Sequence, residues 1–197
     1  MNRKLSALIG GIAAATTTAG LLLVAGCAGT PQAPTQSGFL SQYIHLKKVD
    51  ATTSRYIFKN RLALYNKFEI TTVKVLPEQF DGKFLTEEQK AKAIAYIRES
   101  ITKALAEHGY PVVTSGGPDV GQIRVAITAI YKTGDQLGLS VEGEILDASS
   151  GFQAAAVTKT ALGDIYLGSW WDNVSARQIV DAWSQRLAEA VDAAHGK

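Results

Sequence analysis

Two long segments repeat apolar residues every three or four positions, as on the buried face of an amphipathic helix. The first runs from Thr86 to His108 and the second from Ser175 to His195. Each begins with a hydroxyl residue followed three positions later by a glutamine, which is the pattern of a capping box. Gly109 follows the first segment, where a residue in the left-handed conformation commonly ends a helix. The pattern therefore predicts two helices of about six turns each.

Apolar and polar residues alternate in other segments, as they do in half-buried strands. Such segments cover residues 68–76, 123–131, 139–145 and 153–160, with a short edge strand at 111–114. Turn-forming residues at 132–135 and 149–151 join the last three into hairpins. The element order predicts a single α+β domain over residues 38–197, a two-layer sandwich with a mostly antiparallel sheet and two helices packed on one face. A further short helix is expected where four apolar residues share a helical spacing: Phe39, Leu40, Tyr43 and Leu46.

The first 26 residues carry charge only at Arg3 and Lys4. A largely apolar stretch follows and ends in small residues, as in a secretory signal peptide. Three threonines and several glycines interrupt this stretch, and no basic cluster follows it, so a permanent transmembrane helix is the less favoured alternative. The sequence indicates a signal peptide over residues 1–26.

The end of this signal resembles the lipobox of bacterial lipoproteins, with the sequence Leu23-Val24-Ala25-Gly26-Cys27. The resemblance implies cleavage before Cys27 and acylation of its thiol and new amine, so that acyl chains anchor the protein to a membrane. Ala28 stands where an aspartate would resemble an inner-membrane retention signal, which implies the outer membrane, facing the periplasm. The alternative is that Cys27 is only a small apolar residue of an ordinary signal. Residues 27–37 are interpreted as the lipidated cysteine and a flexible tether.

After removal of the signal peptide, the charge balance and the cysteine content bear on nucleic-acid binding and on disulfide bonds. Arg3 and Lys4 leave with the signal, and the remaining 18 basic residues equal the 18 acidic ones. A balanced charge gives no general argument for nucleic-acid binding. Cys27 is the sole cysteine of the chain, so a lipidated protein has no disulfide and depends on its hydrophobic core.

Three stretches resemble motifs of a family of bacterial lipoproteins called domain of unknown function 3313. The first is Ser37-Gly38-Phe39-Leu40-Ser41-Gln42-Tyr43, just after the tether. The second is Arg55-Tyr56-Ile57 followed by Leu62 and Tyr65, and the third is Val141-Glu142-Gly143-Glu144-Ile145-Leu146-Asp147-Ala148-Ser149-Ser150-Gly151. The resemblance implies an envelope lipoprotein and supplies no catalytic residues.

Candidate catalytic and metal-ligating residues are few. His45, His108 and His195 lack ligand spacing, and the last two fall at helix C-termini, where a cation is favoured. Glu142 and Glu144 point the same way from one strand. They form either a carboxylate pair of the kind that glycosidases use or, as we favour, part of a solvated strand face. We therefore expect no catalytic residues, no metal and no cofactor.

Two features favour a binding role. The segment 47–67 is basic, with Asp50 as its sole acid, and either contacts anionic envelope material such as lipid headgroups or, as we favour, is an ordinary solvated surface. Trp170 and Trp171 are adjacent, and one of them is a candidate partner-binding residue, unless both pack where the chain enters the last helix.

Together these features favour a non-enzymatic binding or accessory component of the cell envelope, with an envelope protein as its partner. A self-assembling ring or export element is an alternative, because the strand and helix order is also similar to small domains of lipoproteins that build envelope machines. A cell-wall or polysaccharide-acting enzyme is the other alternative.

Overall fold

The computed structural model describes residues 36–164 and 174–197, which form three helices and nine strands. The strands are β1 (Lys47–Asp50), β2 (Thr53–Ile57), β3 (Lys67–Val75), β4 (Gln79–Phe80), β5 (Lys83–Phe84), β6 (Val112–Val113), β7 (Val120–Thr133), β8 (Gln136–Asp147) and β9 (Gln153–Asp164). The helices are α1 (Lys59–Leu62), α2 (Glu87–Glu107) and α3 (Val174–His195). The α+β class and the two long helices predicted from the sequence are confirmed.

Seven of these strands form one sheet in the order β1-β2-β9-β8-β7-β3-β6, while β4 pairs with β5. β7, β8 and β9 pair antiparallel through tight turns, in which Gly134 and Gly151 have φ angles of 57° and 70°. β3 instead runs parallel to both β6 and β7. Parallel pairing needs a crossover connection, and α2 provides it. The sheet is therefore mixed, with antiparallel pairs in the majority.

The two long helices contact each other and bury apolar side chains against the sheet. One buried cluster joins both helices to the sheet, and its members include Ile97, Ile101, Val180, Val191, Ile123 and Ile127. The predicted capping box begins α2, since Thr86 Oγ1 accepts a hydrogen bond from the Gln89 N–H and Gln89 Oε1 accepts one from the Thr86 N–H. Gly109 ends the helix with a φ angle of 84°, as expected.

Residues 36–46, which we name the strap, contain no helix and cover the opposite face of the sheet. Phe39 and Leu40 pack there with Ala126 of β7 and Ala156 of β9. Successive residues of a strand point to opposite faces, and Ile127 belongs to the cluster beneath the helices. The expectation of a short helix in this segment is therefore wrong, because its apolar residues pack against a sheet. The strap also covers a face that the predicted two layers leave open.

Candidate functional site

The first family motif docks on a buried glutamate of β8. The Ser37 N–H and hydroxyl donate hydrogen bonds to the two carboxylate oxygens of Glu142, at 2.7 and 2.8 Å. The Tyr43 hydroxyl donates a third, at 2.5 Å to Oε2. Burial, followed by this bond to a carboxylate, raises the pKa of Tyr43. Glu142 is 1% exposed, so hydrogen bonds from the strap replace most of its water.

Glu144, two residues further along β8, holds the middle of the strap. Its carboxylate accepts hydrogen bonds from the N–H and the hydroxyl of Ser41, the latter at 2.7 Å to Oε2. Arg124 of the neighbouring β7 donates to Oε1 at 2.5 Å, and its guanidinium lies 5.0 Å from the centre of the Phe39 ring. Gln153 donates to Oε2 at 2.8 Å. The buried charge is therefore paired and hydrogen-bonded.

The favoured assignment of Glu142 and Glu144 to a solvated strand face is wrong. Both side chains do point the same way, as predicted, but they are 1% and 3% exposed because the strap covers them. A glycosidase pair would need an open cleft between two carboxyl groups. Here the hydrogen-bonding capacity of both carboxylates is used by Ser37, Ser41, Tyr43 and their neighbours. The pair holds the strap.

Asp147, at the end of β8, joins the second family motif to the third. Its Oδ2 accepts a hydrogen bond from the Tyr65 hydroxyl at 3.0 Å and pairs with Arg61 at 3.0 Å. Its Oδ1 accepts bonds from the backbone and hydroxyl groups of Ser149 and Ser150 in the turn. The bonds from Ser149, and then those from Ser150, lower the pKa of Asp147. Burial raises the pKa of Tyr65 to about 12.

The three histidines form no metal site, since no group of three or more His, Cys, Asp or Glu side chains within residues 36–164 and 174–197 is placed to hold a metal ion. His45 stacks at 5.0 Å from the Tyr56 ring. His108 lies at the C-terminus of α2, where its Nδ1 contacts Asp192 Oδ2 at 2.6 Å, and this bond raises the pKa of His108. His195 Nδ1 lies 2.9 Å from the Val191 carbonyl oxygen.

The basic side chains of segment 47–67 fall into two groups, those that form ion pairs within the protein and those that are exposed to solvent. Arg61 pairs with Asp147, and Lys67 pairs with Asp119 at 3.2 Å. The other basic side chains are exposed and form no ion pair within the described part of the chain: Lys47, Lys48, Arg55 and Lys59. Arg55 points toward the helices, because it pairs in register with Val157 of β9, on the face that carries Ala155 and Ile145.

A cavity of about 250 Å³ lies between α3 and the sheet formed by β2, β9 and β8. Sequence reasoning missed it, although small residues mark the place: Gly143 and Ala155 line the sheet side and Ala190 lines the helix side. The lining continues to Val49 on β1, the edge strand, and Val49 is 56% exposed. The cavity is therefore a candidate ligand site on the face opposite the strap.

Three candidate residues named from the sequence lie outside the described residues: Cys27, Trp170 and Trp171. Their predicted roles in lipidation and partner binding remain predictions. Among the residues that are described, no helix is both long and apolar enough to cross a membrane.

Comparison with known proteins finds one matching family and several solved structures with a similar fold at low sequence identity. The sequence profile of the family described as "Protein of unknown function (DUF3313)" matches residues 35–139. This range contains the first two motifs and ends before the third. No curated protein matches the chain.

Three solved structures illustrate the structural likenesses. The PelC dodecamer from Paraburkholderia phytofirmans is 14% identical, with 71% of this chain and 96% of that chain covered and a TM-score of 0.49. A minor lipoprotein from Acinetobacter baumannii is 12% identical, with 66% and 94% covered and a TM-score of 0.40. A putative lipoprotein from Caulobacter crescentus is 14% identical, with 71% and 97% covered and a TM-score of 0.32.

Proposed function

The chain belongs to the DUF3313 family, which is described as a protein of unknown function, and we propose its function from its own geometry. The protein is a lipid-anchored component of the cell envelope that acts by binding another component and not by catalysis. Acyl chains on Cys27 hold it to the outer membrane on the periplasmic side. Its binding domain is the two-layer sandwich of sheet and helices, with the strap on the outer face of the sheet.

One observation carries this proposal: the strap begins where the tether ends and is fixed to the sheet by the family motifs. Ser37 binds Glu142 directly, and the ten residues 28–37 would span roughly 30 Å if extended. Through a flexible tether of this length, an acylated Cys27 keeps the domain within about 30 Å of the membrane surface. The paired carboxylates that would suit an enzyme are used to build this attachment, which favours binding over catalysis.

The test is extraction of the lipidated protein from its native membrane in mild detergent, followed by measurement of the particle mass and identification of any second component. We expect a complex with a different envelope component, weakened when Trp170 and Trp171 are both replaced by alanine. Phe84→Ala is the matched control, because Phe84 is an aromatic side chain that is 75% exposed on β5. A large homo-oligomer without a second component would replace this proposal with a self-assembling ring.

A further inference from the structure

The cavity beneath α3 combines an apolar interior with cationic side chains. Its helix wall includes Trp183, Leu187 and Ala190, and its sheet wall includes Ile57 and Val157. An apolar cavity of about 150 Å³ is large enough to bind benzene. The volume here, about 250 Å³, has room for a longer aliphatic group.

Arg55, Lys159 and Arg186 all line this cavity, from β2, β9 and α3 respectively. Lys159 is held in place by a hydrogen bond from its ammonium group to Thr53 Oγ1 at 2.9 Å. Arg55 and Arg186 are exposed and form no ion pair within the described residues. The lining includes two acidic residues: Asp50, whose Oδ1 accepts hydrogen bonds from the N–H and hydroxyl of Thr52, and Glu144, whose carboxylate is bonded to Ser41 and Arg124 on the strap side. Cations therefore outnumber acids here.

We infer that this cavity binds the aliphatic chain of an amphiphile whose anionic head, a carboxylate or a phosphate, lies among Arg55, Lys159 and Arg186. The inference rests on the proposed binding function and names its ligand class. An apolar interior excludes the charged head, because an unpaired buried charge is costly, and the arginines offer it charge-assisted hydrogen bonds. Each added methylene that enters the cavity should tighten binding about fourfold until the cavity is full.

The test uses the full lipidated protein in phosphatidylcholine vesicles with three photo-reactive probes that carry a diazirine on the same chain. These are a fatty acid, the corresponding fatty alcohol and a phosphatidylglycerol. We expect the anionic probes to label peptides of α3 and β9, and the alcohol to need about tenfold higher concentration for equal labelling. Labelling by the fatty acid identifies a free amphiphile as the source, and labelling by phosphatidylglycerol alone identifies a membrane lipid.

Two variants test where the anionic head and the aliphatic chain of the ligand bind. Replacing Arg55 and Arg186 together by glutamine should weaken labelling by the anionic probes about tenfold, while the control pair Lys48→Gln and Lys59→Gln, outside the cavity lining, leaves it unchanged. Ala190→Phe, which fills the cavity, should abolish labelling by all three probes. A thermal unfolding curve like that of the parent confirms that each variant is folded.

Equal labelling by acid and alcohol, unaffected by the arginine variant, would overturn the anionic head and leave the proposed binding function standing. Labelling that persists in Ala190→Phe, or none at α3 and β9, would overturn the site itself. The proposed function fails separately, if the detergent-extracted particle is a homo-oligomer.

Discussion

The hydroxyl of Tyr43 donates a hydrogen bond to Oε2 of Glu142 at 2.5 Å, across 99 residues of sequence. The contact joins the first family motif to the third. It ties the strap to the centre of the sheet, because β8 has β7 on one side and β9 on the other.

Glu142→Gln should loosen the strap without unfolding the sheet. Glutamine keeps the shape but loses the negative charge that accepts bonds from Ser37 and Tyr43, and its amide leaves a buried donor facing the tyrosine hydroxyl. We expect a cost of about 1–3 kcal/mol. Hydrogen exchange of the Ser37 amide, which donates to Glu142 at 2.7 Å, should quicken at least tenfold. Glu99→Gln, an exposed change on α2, is the control and should leave that amide protected.

Asp147→Asn should destabilise the whole domain by about 2–4 kcal/mol, measured by urea unfolding. The substitution removes the charge that pairs with Arg61 and accepts the Tyr65 hydroxyl. Asp119→Asn is the matched control, because the Lys67–Asp119 pair is about half exposed and should contribute less than about 1 kcal/mol. Equal decreases in the free energy of unfolding of the two variants would contradict a stabilising role for Asp147.

The lowered pKa of Asp147 makes the stability lost in Asp147→Asn depend on pH. Because the folded-state pKa of Asp147 is lowered, its contribution to stability is present above the unfolded value and is lost as the pH falls below it. The difference between the parent and Asp147→Asn should therefore shrink on acidification below about pH 4.

The His108–Asp192 pair predicts a second pH effect, at higher pH. The folded-state pKa of His108 is raised, chiefly by its bond to Asp192, so its stabilisation is complete below the unfolded value near 6.5 and is lost as the pH rises through the folded value. The melting temperature of the parent protein should therefore fall between about pH 6 and 9, and His108→Gln should make this fall smaller. His45→Gln, a histidine without an ion pair among the described residues, should leave that decline as in the parent.

Two glycines of the sheet should respond oppositely to alanine. A Cβ at Gly121 would lie 2.9 Å from Cε1 of the fully buried Phe68 and 3.0 Å from Cγ2 of Ile145. We expect Gly121→Ala to cost about 1–3 kcal/mol through overpacking. At Gly143 the nearest atom, Val125 Cγ2, would be 3.6 Å away, so Gly143→Ala should be neutral or slightly stabilising. Chemical denaturation of both variants compares them directly.

Signals within a few residues of one another predicted most of the fold. The Thr86–Gln89 capping box, the hairpin glycines 134 and 151, and the alternation along β7 each depend on neighbours in sequence. The parallel pairing of β3 with β7 was not predicted, because it joins segments about 50 residues apart and leaves no local pattern.

The candidate site was predicted less well for the same reason. Glu142 and Glu144 alternate with apolar residues as a solvated face would, and their burial depends on a strap about 100 residues earlier. The spacing of Phe39, Leu40 and Tyr43 fits a helix. In the structure Phe39 and Leu40 are instead buried against the sheet, and the Tyr43 hydroxyl donates a hydrogen bond to Glu142. The family motifs did contain the signal, since their residues contact one another in the fold.

We propose that acyl chains on Cys27 attach this domain to a membrane, and metabolic labelling with radioactive palmitate tests this anchor. We expect the parent protein to incorporate the label and to stay with the membranes after a high-salt wash, and Cys27→Ser to incorporate none. An unlabelled parent, or a Cys27→Ser variant labelled as strongly as the parent, would contradict it.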